Sequence, residues 1–207
     1  ALIVRRIEAL HPQPSVLPAG QAGLIAMIED WADHRVFMQA VPPTIVALVD
    51  ALPPGFIEDR KAMTPGFSLE ALTGAAPHAL AQACHVLDYL DEQLGAGDYL
   101  LGSGFTLADA TVFHVVNFMM NNPALVPLIE SRANVAAWVK RIAGFGAGQV
   151  TPMSGADALA VAEAATPVDT AGGCDAAAGF SAGQLVTIMA DDYGQETTTG
   201  KVARVSS

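Results

Sequence analysis

Few side chains in this chain of 207 residues stand where their types and spacing could do chemistry. The most explicit group is Thr106-Leu-Ala-Asp109, reached through Gly102 and Gly104. A carboxylate there could act as a general base, but a threonine three residues ahead of an aspartate, just before an apolar run, is itself a helix-start signature. The Thr106 hydroxyl is placed to accept from the Asp109 amide, and the Asp109 carboxylate to reach back to the Thr106 amide at the positive end of the helix dipole. Thr106 and Asp109 are therefore expected to form a structural capping box, with Phe105 and Ala110 at the staple positions. Cys84 falls on the core stripe of a helix, where apolar surroundings keep a thiol inert, and Cys174, in Gly-Gly-Cys-Asp, has no neighbour that would activate it. His34, His85 and His114 lie on different helices, none with a second His or Cys at metal-ligand spacing, so no metal site is expected.

The elements that must position these groups follow from periodicity. Leu2, Ile3, Ile7 and Leu10 have helical spacing and stop at His11-Pro12. Residues 11–20, with three prolines, read as a linker. Ile25, Ile28, Ala32 and Val36 repeat at three and four, which predicts a helix from Gln21 to about Ala40, interrupted by Pro42-Pro43. Residues 56–73 have weak periodicity and read as loop with at most a short helix. Leu80, Cys84, Leu87 and Leu94 share a stripe over residues 78–94, closed by Gly95-Ala-Gly97. The run from Leu107 to Met120 is apolar over most of its circumference, with a narrow polar stripe of His114, Asn117 and Asn121, so it belongs at the centre of a bundle. A short turn to Ser131 and a helix over 136–142 complete the bundle, with Trp31 and Trp138 as packing anchors. Beyond residue 148 the composition shifts to Ala, Gly, Ser, Thr and Asp, with one weak helix at 157–165. Strands are expected at 184–190 and 201–205, around a loop holding Asp191-Asp192-Tyr193-Gly194.

Composition narrows the function classes. Twenty-one acidic against ten basic residues give a net charge of −11, which repels nucleic acid and anionic membranes, and no basic patch offsets it. No apolar run approaches the roughly 18–20 residues that span a bilayer. Two distant cysteines fit a reducing, cytoplasmic setting.

Leu100-Leu-Gly-x-Gly-Phe-Thr-Leu-Ala-Asp109 resembles the capped core-helix motif in the C-terminal helical domain of glutathione S-transferases. Ile3-Val-Arg-Arg-Ile-Glu8, His11-Pro12, Leu17-Pro18 and Trp31-Ala-Asp33 are similar to the segment by which those proteins pass from their thioredoxin-like domain into the helical one, and Asn134-Val-Ala-Ala-Trp-Val-Lys-Arg141 to the closing helix. The resemblance implies an all-α, glutathione S-transferase C-terminal-like bundle followed by a linker and a partial small β-module. Its expected parts are residues 1–10 as the last helix of a missing thioredoxin-like domain, 11–20 as linker, 21–148 as helical domain, 149–178 as flexible linker and 179–207 as β-module. It also implies glutathione as co-substrate, held mainly by the missing domain, a small apolar electrophile, a homodimer, and no catalytic residue within this fragment, which is expected to be inactive alone. The helix bearing His34 and Arg35 resembles the one that faces the active cleft and the partner subunit. His34, Phe37 and Met38, with His114 and Asn117, are then the candidate substrate-binding residues, although Met and Phe at helical spacing also describe ordinary core. The alternative is a non-catalytic module for dimerisation or partner docking.

Overall fold

A computed structural model describes residues 2–64, 66–166, 179–190 and 194–205 of the chain. Cys174 and the Asp191-Asp192-Tyr193 part of the expected loop lie outside the described residues. The chain divides into two compact units, residues 1–146 and 147–207.

The first unit is all-helical: α1 (Leu2–Leu10), α2 (Ala22–Trp31), a π-helical turn (Ala32–Val36), α3 (Phe37–Ala47), a 3-10 turn (Val49–Ala51), α4 (Phe56–Met63), α5 (Leu69–Leu94), α6 (Leu107–Met120), α7 (Val126–Glu130) and α8 (Ala133–Ala143). Helix α6 is central, as its apolar circumference predicts. Val112, Val115, Val116 and Met119 are buried in one cluster with Leu87 and Leu90 of α5 and with Val135 and Trp138 of α8. Each such side chain stabilises the bundle by about 1.5–3 kcal/mol through removal from water. The polar stripe of α6 stays wet, with His114, Asn117 and Asn121 all exposed.

The prolines do not end the third helix. Segments α2, the π turn and α3 run on through Pro42 and Pro43 to Ala47. A proline inside a helix removes one amide donor and costs about 3 kcal/mol. Here Ala40, Pro42, Pro43, Thr44 and Ile45 are all buried, and α3 packs along α5, so burial of comparable size offsets that loss. Helix α5 is also longer than its apolar stripe suggests. It begins at Leu69 because the Ser68 hydroxyl accepts from the Ala71 amide at 3.1 Å, and it passes through Pro77. Its buried line is Ala79, Ala83, Leu87, Leu90 and Leu94, which leaves the Cys84 thiol only half-buried rather than in the core. The helix ends at Leu94, but Gly95 remains right-handed at φ −66°. It is Gly97 that has no room for a side chain, since a Cβ there would lie 2.9 Å from the Gly102 carbonyl oxygen. Residues 56–63, expected to be mostly loop, form α4.

In the second unit, Ser154 caps α9 (Gly155–Ala164) by accepting from the Asp157 amide. Strands β1 (Leu185–Ile188) and β2 (Thr198–Lys201) pair antiparallel with Leu185 opposite Lys201. β2 thus starts earlier than expected and ends where the expected strand begins, because Thr198 and Thr199, both β-branched, pair with Ile188 and Thr187.

Candidate functional site

Asp109 is fully buried and its carboxylate accepts four hydrogen bonds. Oδ2 takes the Thr106 amide at 2.9 Å and the Thr106 hydroxyl at 3.0 Å, and Oδ1 takes the Leu100 amide at 2.8 Å and the Trp138 Nε1–H at 3.0 Å. The capping box is present, and it is one half of a larger junction joining the 99–106 loop, α6 and α8. The loop is prepared for this by a tight turn in which the Tyr99 and Gly102 amides bond to each other's carbonyls at 2.9 and 3.1 Å, with Gly102 at φ +120°, a conformation that favours glycine. Phe105 packs edge to face on Tyr99 and Phe145. Another free amide of the helix start, that of Leu107, donates to the Val16 carbonyl at 2.9 Å and so anchors the linker. Every acceptor position of Asp109 is in use, so it is structural.

The candidate substrate-binding residues lie away from this junction, where the rod formed by α2, the π turn and α3 meets α6. The Phe37 ring stacks on the His114 imidazole with centroids 6.1 Å apart and planes at 20°, and tilts against Phe118 at 5.2 Å. Met38 is 58% exposed beside Phe37 in the chain, and Asn117 is exposed one helical turn on from His114. His34 is directed to its own preceding turn instead, with Nδ1 3.1 Å from both the carbonyl oxygen and Oδ1 of Asp30. The structure therefore pairs Phe37 with His114, while His34 is engaged by Asp30. The result is an aromatic surface of Phe37 and Phe118 with the His114 imidazole stacked upon it, suited to a flat apolar molecule.

A second feature escaped sequence reasoning. The other side of the same rod supplies Trp31, Arg35, Val36 and Gln39 to a cleft of about 290 Å³. Gln82, His85, Val86 and Tyr89 of α5 form the opposite wall. The signal in the sequence was the four-residue spacing of Trp31, Arg35 and Gln39, and it was hidden by the π turn, in which the Phe37 amide bonds five residues back to the Ala32 carbonyl and shifts the helical phase. Among the described residues no three His, Cys, Asp or Glu side chains are grouped to hold a metal ion, and no helix is long and apolar enough to cross a membrane.

Residues 73–141 match the family model of the glutathione S-transferase C-terminal domain. Among solved structures, a GST-like protein from Pseudomonas syringae is similar, with 28% identity and a TM-score of 0.65 over 97% of this chain. That alignment reaches beyond the helical unit into residues 147–207. Glutathione S-transferase III in its apo form aligns over 67% of this chain and 61% of its own, with 23% identity and a TM-score of 0.46. No curated protein matches. The chain spans 64% of the length of the Pseudomonas syringae protein. Over residues 73–141 the chain is thus similar to the C-terminal domain of glutathione S-transferases, and its helical unit has that domain's helical fold.

Proposed function

We propose that this chain is the electrophile-binding half of a glutathione S-transferase-like protein, in which glutathione is held by a domain outside residues 1–207 and conjugated to, or exchanged with, a small apolar electrophile. The observation that supports this most is the stacked Phe37–His114 pair with Phe118, a half-open aromatic surface on the family's helical domain. On this reading the electrophile lies against Phe37, with Met38, His114 and Asn117 around it and His34 further along the rod. The rate gain comes from bringing it to a thiolate that the other half positions and stabilises. The bundle also provides helices for a homodimer, and the location is cytoplasmic. Residues 1–207 alone turn over no glutathione.

The test is a glutathione conjugation assay with 1-chloro-2,4-dinitrobenzene on the protein carrying both halves. Phe37→Ala lowers kcat/KM for the electrophile by roughly five- to thirtyfold, equivalent to about 1–2 kcal/mol of lost binding, and leaves the KM for glutathione unchanged. Unchanged electrophile kinetics, or turnover by residues 1–207 alone, contradicts the reading. A second reading, a non-catalytic docking module, is favoured by the exposed apolar Leu185, Ile188 and Met189 of the second unit. Lack of measurable glutathione affinity in the protein carrying both halves would select it.

A further inference from the structure

We propose that the Glu8 carboxylate is a positioning residue for the conjugation reaction: it pins α1 to the linker and, through the linker, to the start of α6, and so sets where the thiolate stands relative to the Phe37–His114 surface. The inference rests on the transferase reading, in which α1 is the last helix of the half that holds glutathione. Helix α1 has little else to hold it in place. Among the described residues, none of α1 belongs to the buried cluster of the bundle or packs against it. Ile3, Ile7 and Leu10 share one face of α1 and are each more than half exposed, and on that reading they meet the glutathione-holding half.

The turn from α1 toward the bundle is built around one side chain. Glu8 Oε1 accepts from the Ser15 hydroxyl and Oε2 from the Val16 amide at 3.2 Å, and Ser15 Oγ in turn accepts from the Leu17 amide at 3.1 Å. Among the described residues, Glu8 is the one side chain of α1 with a hydrogen bond beyond its own helix. The Val16 carbonyl then accepts from the Leu107 amide at 2.9 Å, at the first residue of α6. Bonds to a carboxylate are the stronger, more directional kind. Helix α6 is the buried centre of the bundle and carries His114, so freedom admitted at Glu8 lets the thiolate-bearing half swing against a fixed electrophile surface. A misplacement of about 1 Å between reacting groups costs up to about a hundredfold in rate.

The test compares variants of the protein carrying both halves, by the 1-chloro-2,4-dinitrobenzene assay and by amide hydrogen exchange. Glu8→Ala is expected to lower kcat by about ten- to a hundredfold while the KM values for glutathione and for the electrophile stay unchanged, the signature of lost positioning rather than lost binding. The Leu107 amide exchanges about tenfold faster in the same variant, a readout that needs no turnover. Glu8→Gln keeps the shape and an acceptor oxygen and recovers most of kcat, and Ser15→Ala, which removes one of the two bonds, lowers kcat by about threefold. A kcat unchanged in Glu8→Ala, a loss that appears in either KM instead, equal losses in the Ala and Gln variants, or unchanged exchange at Leu107 would each overturn the proposal and leave the transferase reading standing. Absence of turnover in the unaltered protein would overturn that reading and this role with it.

Discussion

Two regions of α6 use their polar groups in opposite ways. At its start, Asp109 is fully buried and spends every acceptor on partners within the bundle, joining a loop and two helices at one carboxylate. Further along, His114 and Asn117 are exposed, and what holds the imidazole is a ring stacked upon it rather than a network. A polar group whose bonding is complete has nothing left to offer a ligand. One that is exposed beside aromatic rings keeps its bonding capacity for a second molecule. The lesson is that the residue most suggestive of chemistry in the sequence, a carboxylate at a helix mouth, is the one that structure has made unavailable.

The comparison breaks most visibly at Asp109. Asp109→Ala leaves the Leu100 amide, the Thr106 amide and the Trp138 indole N–H without their acceptor, and chemical denaturation is expected to show a loss of about 3–5 kcal/mol. Trp138→Phe removes one of those donors and part of the packing against Phe113, for an expected loss of about 2 kcal/mol in the same measurement. Asn117→Ala, on the exposed stripe, shifts stability by no more than about 0.5 kcal/mol, and thermal unfolding indistinguishable from that of Asp109→Ala would erase the distinction between the regions.

The smallest effect concerns the linker. Hydrogen bonds from the Ser15 hydroxyl and then the Val16 and Leu17 amides hold the Glu8 carboxyl below its ordinary value of 4.5. A carboxyl lowered in the folded state contributes stability that is present above the unfolded value and lost as pH falls through the folded one. Hydrogen exchange at the Val16 amide is therefore expected to speed up, relative to the neighbouring bundle, as pH is lowered past 4.5 and below, and Glu8→Gln to remove that pH dependence.

What was legible in the sequence was what is local. The Thr106/Asp109 signature and the apolar circumference of 107–120 locate the central helix because a cap and a periodicity are written into neighbouring residues. The reach of Asp109 to Leu100 and Trp138 was not legible, since Trp138 lies 29 residues away and only folding brings its indole over. The passage of α3 through Pro42 and Pro43 was hidden for the same reason: local propensity says stop, and packing along α5 overrides it. In the candidate site, Phe37 and His114 could be named from residue type and resemblance. The engagement of His34 by Asp30 lies at ordinary four-residue helical spacing, whereas the α5 wall that makes Arg35 part of a cleft is brought up only by folding.

The most direct measurement is a titration of residues 1–207, labelled with 15N, with 1-chloro-2,4-dinitrobenzene in the absence of glutathione, read amide by amide. The account predicts saturable shifts centred on Phe37, Met38, His114 and Asn117, with the amides of Thr106, Asp109 and Trp138 unmoved. Shifts centred on the Asp109 junction, or spread evenly over the bundle, would contradict it.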